Sequence, residues 1–225
     1  MANHKSQRDQ LREKRLRRQK SQIRTILIIL GALFLFILAL VFLPRLLVSK
    51  ETLTNQEGFS IGDPNAPVYV EEFSDFQCSH CKTFSQTIEP DFIKEYVDTG
   101  KVYLTFKNFP IFGQESENAA ESTYCAADQN SMWQYKKALF NFSSFQDAFS
   151  NNNLISYAKQ LDLDSGEFQA CLESDKYLSA VQADMEYGKN LGIQGTPSFS
   201  VNGTIVYSNE LVSTVESELL NLSTE

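Results

Sequence analysis

Two thiols three positions apart, in the run Cys78-Ser79-His80-Cys81, are the residues of this chain best suited to chemistry. Cys-x-x-Cys serves two purposes, thiol–disulfide exchange and zinc ligation. Zinc requires four ligands, and the rest of the sequence offers no second pair: Cys125 and Cys171 stand alone, and the only other histidine is His4. No metal and no cofactor is therefore expected. Exchange needs a thiolate, and the local sequence favours one. Val68-Tyr69-Val70-Glu71-Glu72-Phe73 reads as a strand, and a helical pattern starts at Cys78, so Cys78 falls on a helix N-terminus. Unpaired N–H groups and the positive dipole end favour the anion there. A protonated His80 would add positive charge and lower the Cys78 pKa further. Cys81, one turn on, is shielded but within bonding reach. Stabilising the thiolate stabilises the reduced form, which makes the disulfide a stronger oxidant.

Three further features bear on that centre. Gly195-Thr196-Pro197-Ser198-Phe199 leads into a second strand signal, where a trans proline is awkward. A cis Thr196–Pro197 peptide would present backbone groups beside the dithiol to an extended partner; an ordinary turn proline is the plainer alternative. Glu72, six residues before Cys78, shares a strand face with Val68 and Val70. A buried carboxylate there could relay the proton of Cys81, whereas a solvated one would be part of an acidic surface. Cys125 and Cys171 are either two small buried hydrophobes or a structural disulfide, which would constrain the unfolded chain by ~4 kcal/mol across their separation.

The elements that position these residues follow from patterning. After the first strand and a helical stretch from Cys78 to about Val97 comes a second strand, Val102-Tyr103-Leu104-Thr105-Phe106, completing a parallel βαβ unit. Residues 115–191 are helix-compatible almost throughout. Strand signals return at Ser198-Phe199-Ser200-Val201 and Ile205-Val206-Tyr207, joined by the hairpin dipeptide Asn202-Gly203, and an amphipathic helix closes the chain over 211–222. The outline is βαβ, a helical insertion, then ββα, in an α/β domain spanning 61–225.

Charge and hydropathy place that domain. The chain has 225 residues and a net charge of −8, but the first 25 positions hold nine Lys and Arg against only Asp9 and Glu13. Everything beyond position 25 carries a net charge of −15, which excludes nucleic acid as a partner. Ile26 to Leu43 is apolar without interruption, and eighteen residues at ~1.5 Å rise cover ~27 Å, a hydrocarbon core. With basic flanks staying inside, residues 1–25 form a cytoplasmic tail, 26–43 a transmembrane signal-anchor, 44–60 a linker, and the rest an extracytoplasmic domain on a single-pass membrane protein. A cleaved signal peptide is the competing reading, but Leu43-Pro44-Arg45-Leu46-Leu47-Val48-Ser49 offers no small-residue cleavage site. All four cysteines fall on the oxidising side.

Taken together, Gly62-Asp63-Pro64-Asn65-Ala66-Pro67, Glu72-Phe73-Ser74-Asp75-Phe76-Gln77-Cys78-Ser79-His80-Cys81, Asn108-Phe109-Pro110 and Leu191-Gly192-Ile193-Gln194-Gly195-Thr196-Pro197 resemble the DsbA family of thioredoxin-fold proteins, in its membrane-anchored subgroup. The resemblance implies a thioredoxin fold with an inserted helical domain and a redox-active Cys78–Cys81 disulfide with Cys78 as nucleophile. It also implies a cis Pro197 and an acid at Glu72 close under the dithiol. Its implied partners are unfolded, cysteine-containing exported proteins and a quinone-linked membrane reoxidase of the DsbB or vitamin K epoxide reductase-like type. Ser79 departs from the proline common at that position, which bears on oxidising strength. An extracytoplasmic reductase or isomerase, or a peptide-binding chaperone in which the cysteines are incidental, are the alternative functions.

Overall fold

The computed structural model describes residues 56–142 and 147–223, with Leu30, Gly31 and Leu33. The chain divides into two units, Met1–Thr52 and Leu53–Glu225. In the first, Leu30, Gly31 and Leu33 are helical and exposed; the rest of the expected basic tail, membrane-spanning helix and linker up to residue 55 lies outside the described residues. No helix among the described residues is long and apolar enough to cross a membrane.

The second unit is built on a five-stranded sheet in the order β1-β3-β2-β4-β5. Strand β2 (Val68–Ser74) is central, parallel to β3 (Val102–Asn108) and antiparallel to β4 (Ser198–Val201). The hairpin partner of β4 is β5 (Thr204–Tyr207), across a turn in which Asn202 and Gly203 both take positive φ, as a primed hairpin turn requires. The remaining edge strand is β1 (Ser60–Ile61), antiparallel to β3. Its two residues are too few to show a period of two. The folded unit therefore starts inside the stretch expected to be linker: Phe59 O accepts the Phe106 N–H, and the Phe59 ring lies 4.3 Å from that of Tyr124.

Between β2 and β3 the expected single helix is two: α1 (Ser79–Thr87) and α2 (Glu89–Phe92), the latter running on through a π-turn at Ile93–Val97. Pro90 explains the break. It has no N–H to give and its ring crowds the preceding turn, so it fits only at the start of a new helix. The insertion between β3 and β4 comprises α3 (Gln114–Ala127), α4 (Met132–Phe142), α5 (Asn151–Gln160), α6 (Ser165–Glu173) and α7 (Leu178–Asn190). A disulfide between Cys125 and Cys171 ties α3 to α6, with Cα atoms 5.8 Å apart. The last helix, α8 (Leu211–Leu222), buries Leu211 and Val215.

The face of the sheet carrying Val68, Val70, Leu104, Phe106, Phe199 and Val201 forms the main core, which also takes in Cys78 and Cys81. The opposite face is closed at its C-terminal end by a smaller cluster of Phe73, Phe109 and Ile193 with Met185 and Leu191. Helix α7 comes close enough there for any Cβ at Gly188 to lie within 3.0 Å of the Phe73 and Phe109 rings. The C-terminal half of β2 is thus enclosed on both faces, and this is where the dithiol begins.

Candidate active site

Cys78 is the N-cap of α1, in extended backbone conformation. Its own N–H donates to the Asp75 carbonyl at 3.1 Å, and its sulfur accepts from the Cys81 N–H at 3.5 Å. In the thiol form Sγ donates to the Thr196 carbonyl at 3.3 Å, across the cis Thr196–Pro197 bond that leads into β4. Both thiols are unbonded in this structure, Cys78 5% exposed and Cys81 fully covered.

The two sulfurs have opposite electrostatics. Hydrogen bonding from the Cys81 thiol is the main reason the Cys78 pKa is lowered to about 5, with help from the Thr196 hydroxyl and the backbone of Cys81 and His80, while burial pulls the other way. Burial holds the Cys81 thiol far above the ordinary thiol range, and its role as donor to Cys78 raises it further. One proton is in effect held by Cys81 for both. The His80 side chain is exposed, and what it adds to the thiolate is its backbone contact. The Thr196 hydroxyl is buried and lowers both thiol pKa values.

Glu72 is completely buried on the same strand face as Val68 and Val70. It accepts from the Ser74 hydroxyl at 2.6 Å and from the Lys136 ammonium at 2.8 Å. Lys136, on α4, is itself buried, contacts Glu89 with the same ammonium, and lies 4.5 Å from the Phe106 ring centroid and 4.8 Å from that of Trp133. Two carboxylates share one ammonium. Burial first, and then the Glu89 charge, push the Glu72 pKa up to about 7 against the pull of Lys136 and Ser74. Burial alone would discharge Lys136, but Glu72 and Glu89 together raise its pKa above the lysine norm. Lys136 was detectable in the sequence as a cation on the stripe Met132, Trp133, Leu139, Phe140; Glu89, next to Pro90, gave no such signal.

Asp75 is the other group that sequence reasoning passed over. It is 1% exposed and its carboxylate accepts from Gln77, Ile111, Phe112 and Ser116. In the segment it holds, the Ile111 and Phe112 side chains are 44% and 57% exposed.

A dithiol at a strand-to-helix junction, facing a cis-proline segment within a sheet interrupted by helices, matches known proteins. The thioredoxin family model matches residues 54–219. A probable disulfide bond formation protein D of Bacillus anthracis is 33% identical over 153 residues, covering 65% of this chain and 70% of the relative. The chain belongs to the thioredoxin family, in its DsbA-like disulfide oxidoreductase branch. Disulfide bond formation protein D of Bacillus subtilis is 29% identical over 168 residues, covering 71% and 76% of the two chains. The crystal structure of oxidised BdbD from Bacillus subtilis superposes with a TM-score of 0.67 at 27% identity, covering 72% of this chain and 93% of that one. Chlamydia trachomatis DsbA shares the fold at 21% identity, with a TM-score of 0.65 over 77% of this chain.

Proposed function

We propose that this oxidoreductase donates its Cys78–Cys81 disulfide to reduced, cysteine-containing exported polypeptides. The observation that carries the reading is the contrast between the thiols: Cys78, at a helix N-terminus with a pKa lowered to about 5, and Cys81, buried and held protonated. A substrate thiolate attacks Cys78 Sγ of the disulfide, forming the mixed disulfide and expelling Cys81 as a thiolate. That leaving group needs a proton, and Glu72, with a pKa of about 7, supplies it by relay. A second substrate thiolate then attacks the substrate's own sulfur in the mixed disulfide. Cys78 leaves as its stabilised thiolate, and the substrate carries the new disulfide. The Thr196 carbonyl and the segment around Pro197, next to Cys78 Sγ, are where an extended substrate backbone pairs.

The remainder rests on the sequence. The Ile26–Leu43 segment anchors the enzyme, with the catalytic domain extracytoplasmic, and a quinone-linked membrane reoxidase of the DsbB or vitamin K epoxide reductase-like type returns Cys78 and Cys81 to the disulfide. The anchor keeps the domain near that partner and raises its effective concentration. The test is stoichiometric. Oxidised protein mixed with a reduced, unfolded two-cysteine substrate should lose its own disulfide as the substrate gains one, and Cys78→Ala should abolish transfer. Transfer that survives Cys78→Ala would defeat the proposal.

A further inference from the structure

The Asp75 carboxylate ties three parts of the molecule at one point. Oδ1 accepts from the Gln77 N–H at 2.7 Å and from the Ser116 hydroxyl at 2.7 Å, and Oδ2 from the Ile111 N–H at 2.6 Å and the Phe112 N–H at 3.2 Å. Gln77 belongs to the turn that presents Cys78, Ser116 to the first turn of α3, and Ile111 and Phe112 to the segment between them. The Asp75 main chain is part of the same turn, since its carbonyl accepts the Cys78 N–H. The held segment has little else to define it: Pro110 has no N–H, Gly113 takes φ +98°, and neither Ile111 nor Phe112 is in a helix or strand. Yet this segment exposes two large apolar side chains, and its backbone is bonded to the same residue whose carbonyl accepts the Cys78 N–H.

We infer that Asp75 is a positioning residue that fixes Ile111 and Phe112 beside Cys78, so that an apolar side chain adjacent to the cysteine of a bound polypeptide packs against them. The inference rests on the reading of Cys78 as the site of exchange with polypeptide thiols. The occupant follows from continuity with that site. A chain tethered through its sulfur to Cys78 carries its neighbouring side chains past whatever the active-site turn is bolted to, and here that is Ile111–Phe112. A carboxylate suits the task because one planar group accepts four N–H and O–H donors, and charge-assisted hydrogen bonds are the stronger kind. In Asp75→Asn the remaining oxygen keeps the local Gln77 N–H and the Ser116 hydroxyl, as an Asn side chain does with the N–H two residues on. The amide nitrogen faces the Ile111 and Phe112 N–H groups as a donor facing donors, which releases that segment alone.

The test compares two reductants of the oxidised full-length protein. One is 2-mercaptoethanol, too small to reach Ile111 and Phe112; the other is a two-cysteine peptide with leucine beside the attacking cysteine. Asp75→Asn should raise KM for the peptide about tenfold while leaving the 2-mercaptoethanol rate and the glutathione equilibrium within about twofold of wild type. The exposed-side-chain double variant Ile111→Ala/Phe112→Ala should raise the peptide KM similarly, and adding Asp75→Asn to it should cost little more. Equal losses with both reductants, no change in peptide KM, or full additivity of the three substitutions would each overturn the inference. If Asp75→Asn does not fold, the surface double variant decides alone, and an unchanged peptide KM overturns it. Failure of the underlying reading looks different: wild-type protein would then oxidise neither reductant through Cys78.

Discussion

Replacing Glu72 by glutamine should change how stability depends on pH, and the size of the change follows from its surroundings. The carboxyl titrates at about 7 in the folded protein against 4.5 ordinarily. Between those values the native state holds a proton that the unfolded chain has released, so folding becomes less favourable as pH rises. At 1.36 kcal/mol per pKa unit the penalty builds to about 3 kcal/mol, absent below about pH 4.5 and complete above about pH 7. Cys78 works in the opposite sense. Its lowered pKa stabilises the reduced protein above the ordinary thiol pKa, and that contribution fades as pH falls towards 5. The comparison is therefore made with Cys78 and Cys81 replaced by alanine in both proteins, so that no active-site thiol titrates. Urea unfolding at half-unit intervals from pH 4.5 to 7.5 should show the protein that keeps Glu72 losing about 3 kcal/mol relative to the Glu72→Gln variant as pH rises. Any local mismatch of the introduced amide with Lys136 or Ser74 adds a constant offset. Parallel stability curves across that range would refute the reasoning, because they would mean Glu72 titrates alike in both states.

Four other outcomes follow. Lys136→Met leaves Glu72 and Glu89 facing each other without their shared ammonium, and urea unfolding at pH 7 should show a loss of about 3–5 kcal/mol. Without the pull of Lys136 the Glu72 carboxyl holds its proton to higher pH, so the loss should grow as pH rises above 7. Cys125→Ala/Cys171→Ala removes a link across a sequence separation of 46 residues, and the same assay should register a loss of about 4 kcal/mol with thiol–disulfide exchange at Cys78 retained. Alkylation of the reduced protein by iodoacetamide should label Cys78 with a pH midpoint of about 5 and leave Cys81 unlabelled below pH 9. In Thr196→Val the Cys78 midpoint should move up.

Much of the architecture could be read from the sequence because local signals agreed. The alternation Val68, Val70, Glu72 against Tyr69, Glu71, Phe73, the Asn202-Gly203 turn and the helical stretch after Glu115 each specify an element without help from the rest of the molecule. Strand β1 could not be read that way: it exists only because Ser60 and Ile61 find Thr105 and Leu104. The break at Ile88 was legible, since Pro90 is incompatible with a helix running through it, but helical periodicity on both sides concealed it. At the site, Cys78 lies at the helix start that patterning suggested, and Glu72 lies on the strand face of Val68 and Val70. Its partners were not accessible, because Lys136 lies 64 residues further on and reaches Glu72 only when the insertion folds back over the sheet. Asp75 is the clearest case. An acid flanked by Ser74 and Phe76 reads as surface, and nothing local reveals that donors from three separate segments will converge on it.

The central claim, that a stabilised Cys78 thiolate makes this dithiol an oxidant, is tested most directly by equilibrating the enzyme with glutathione at pH 7. A thiol titrating at about 5 is almost fully ionised there, whereas one at the thioredoxin value of about 7 is half ionised, a difference of about 50-fold in stabilisation of the reduced form. At about 30 mV per tenfold this places the couple some 50 mV above thioredoxin, near −220 mV. A potential of about −220 mV or more positive is the predicted result. A value of about −270 mV or below would contradict it and turn the enzyme into a reductant.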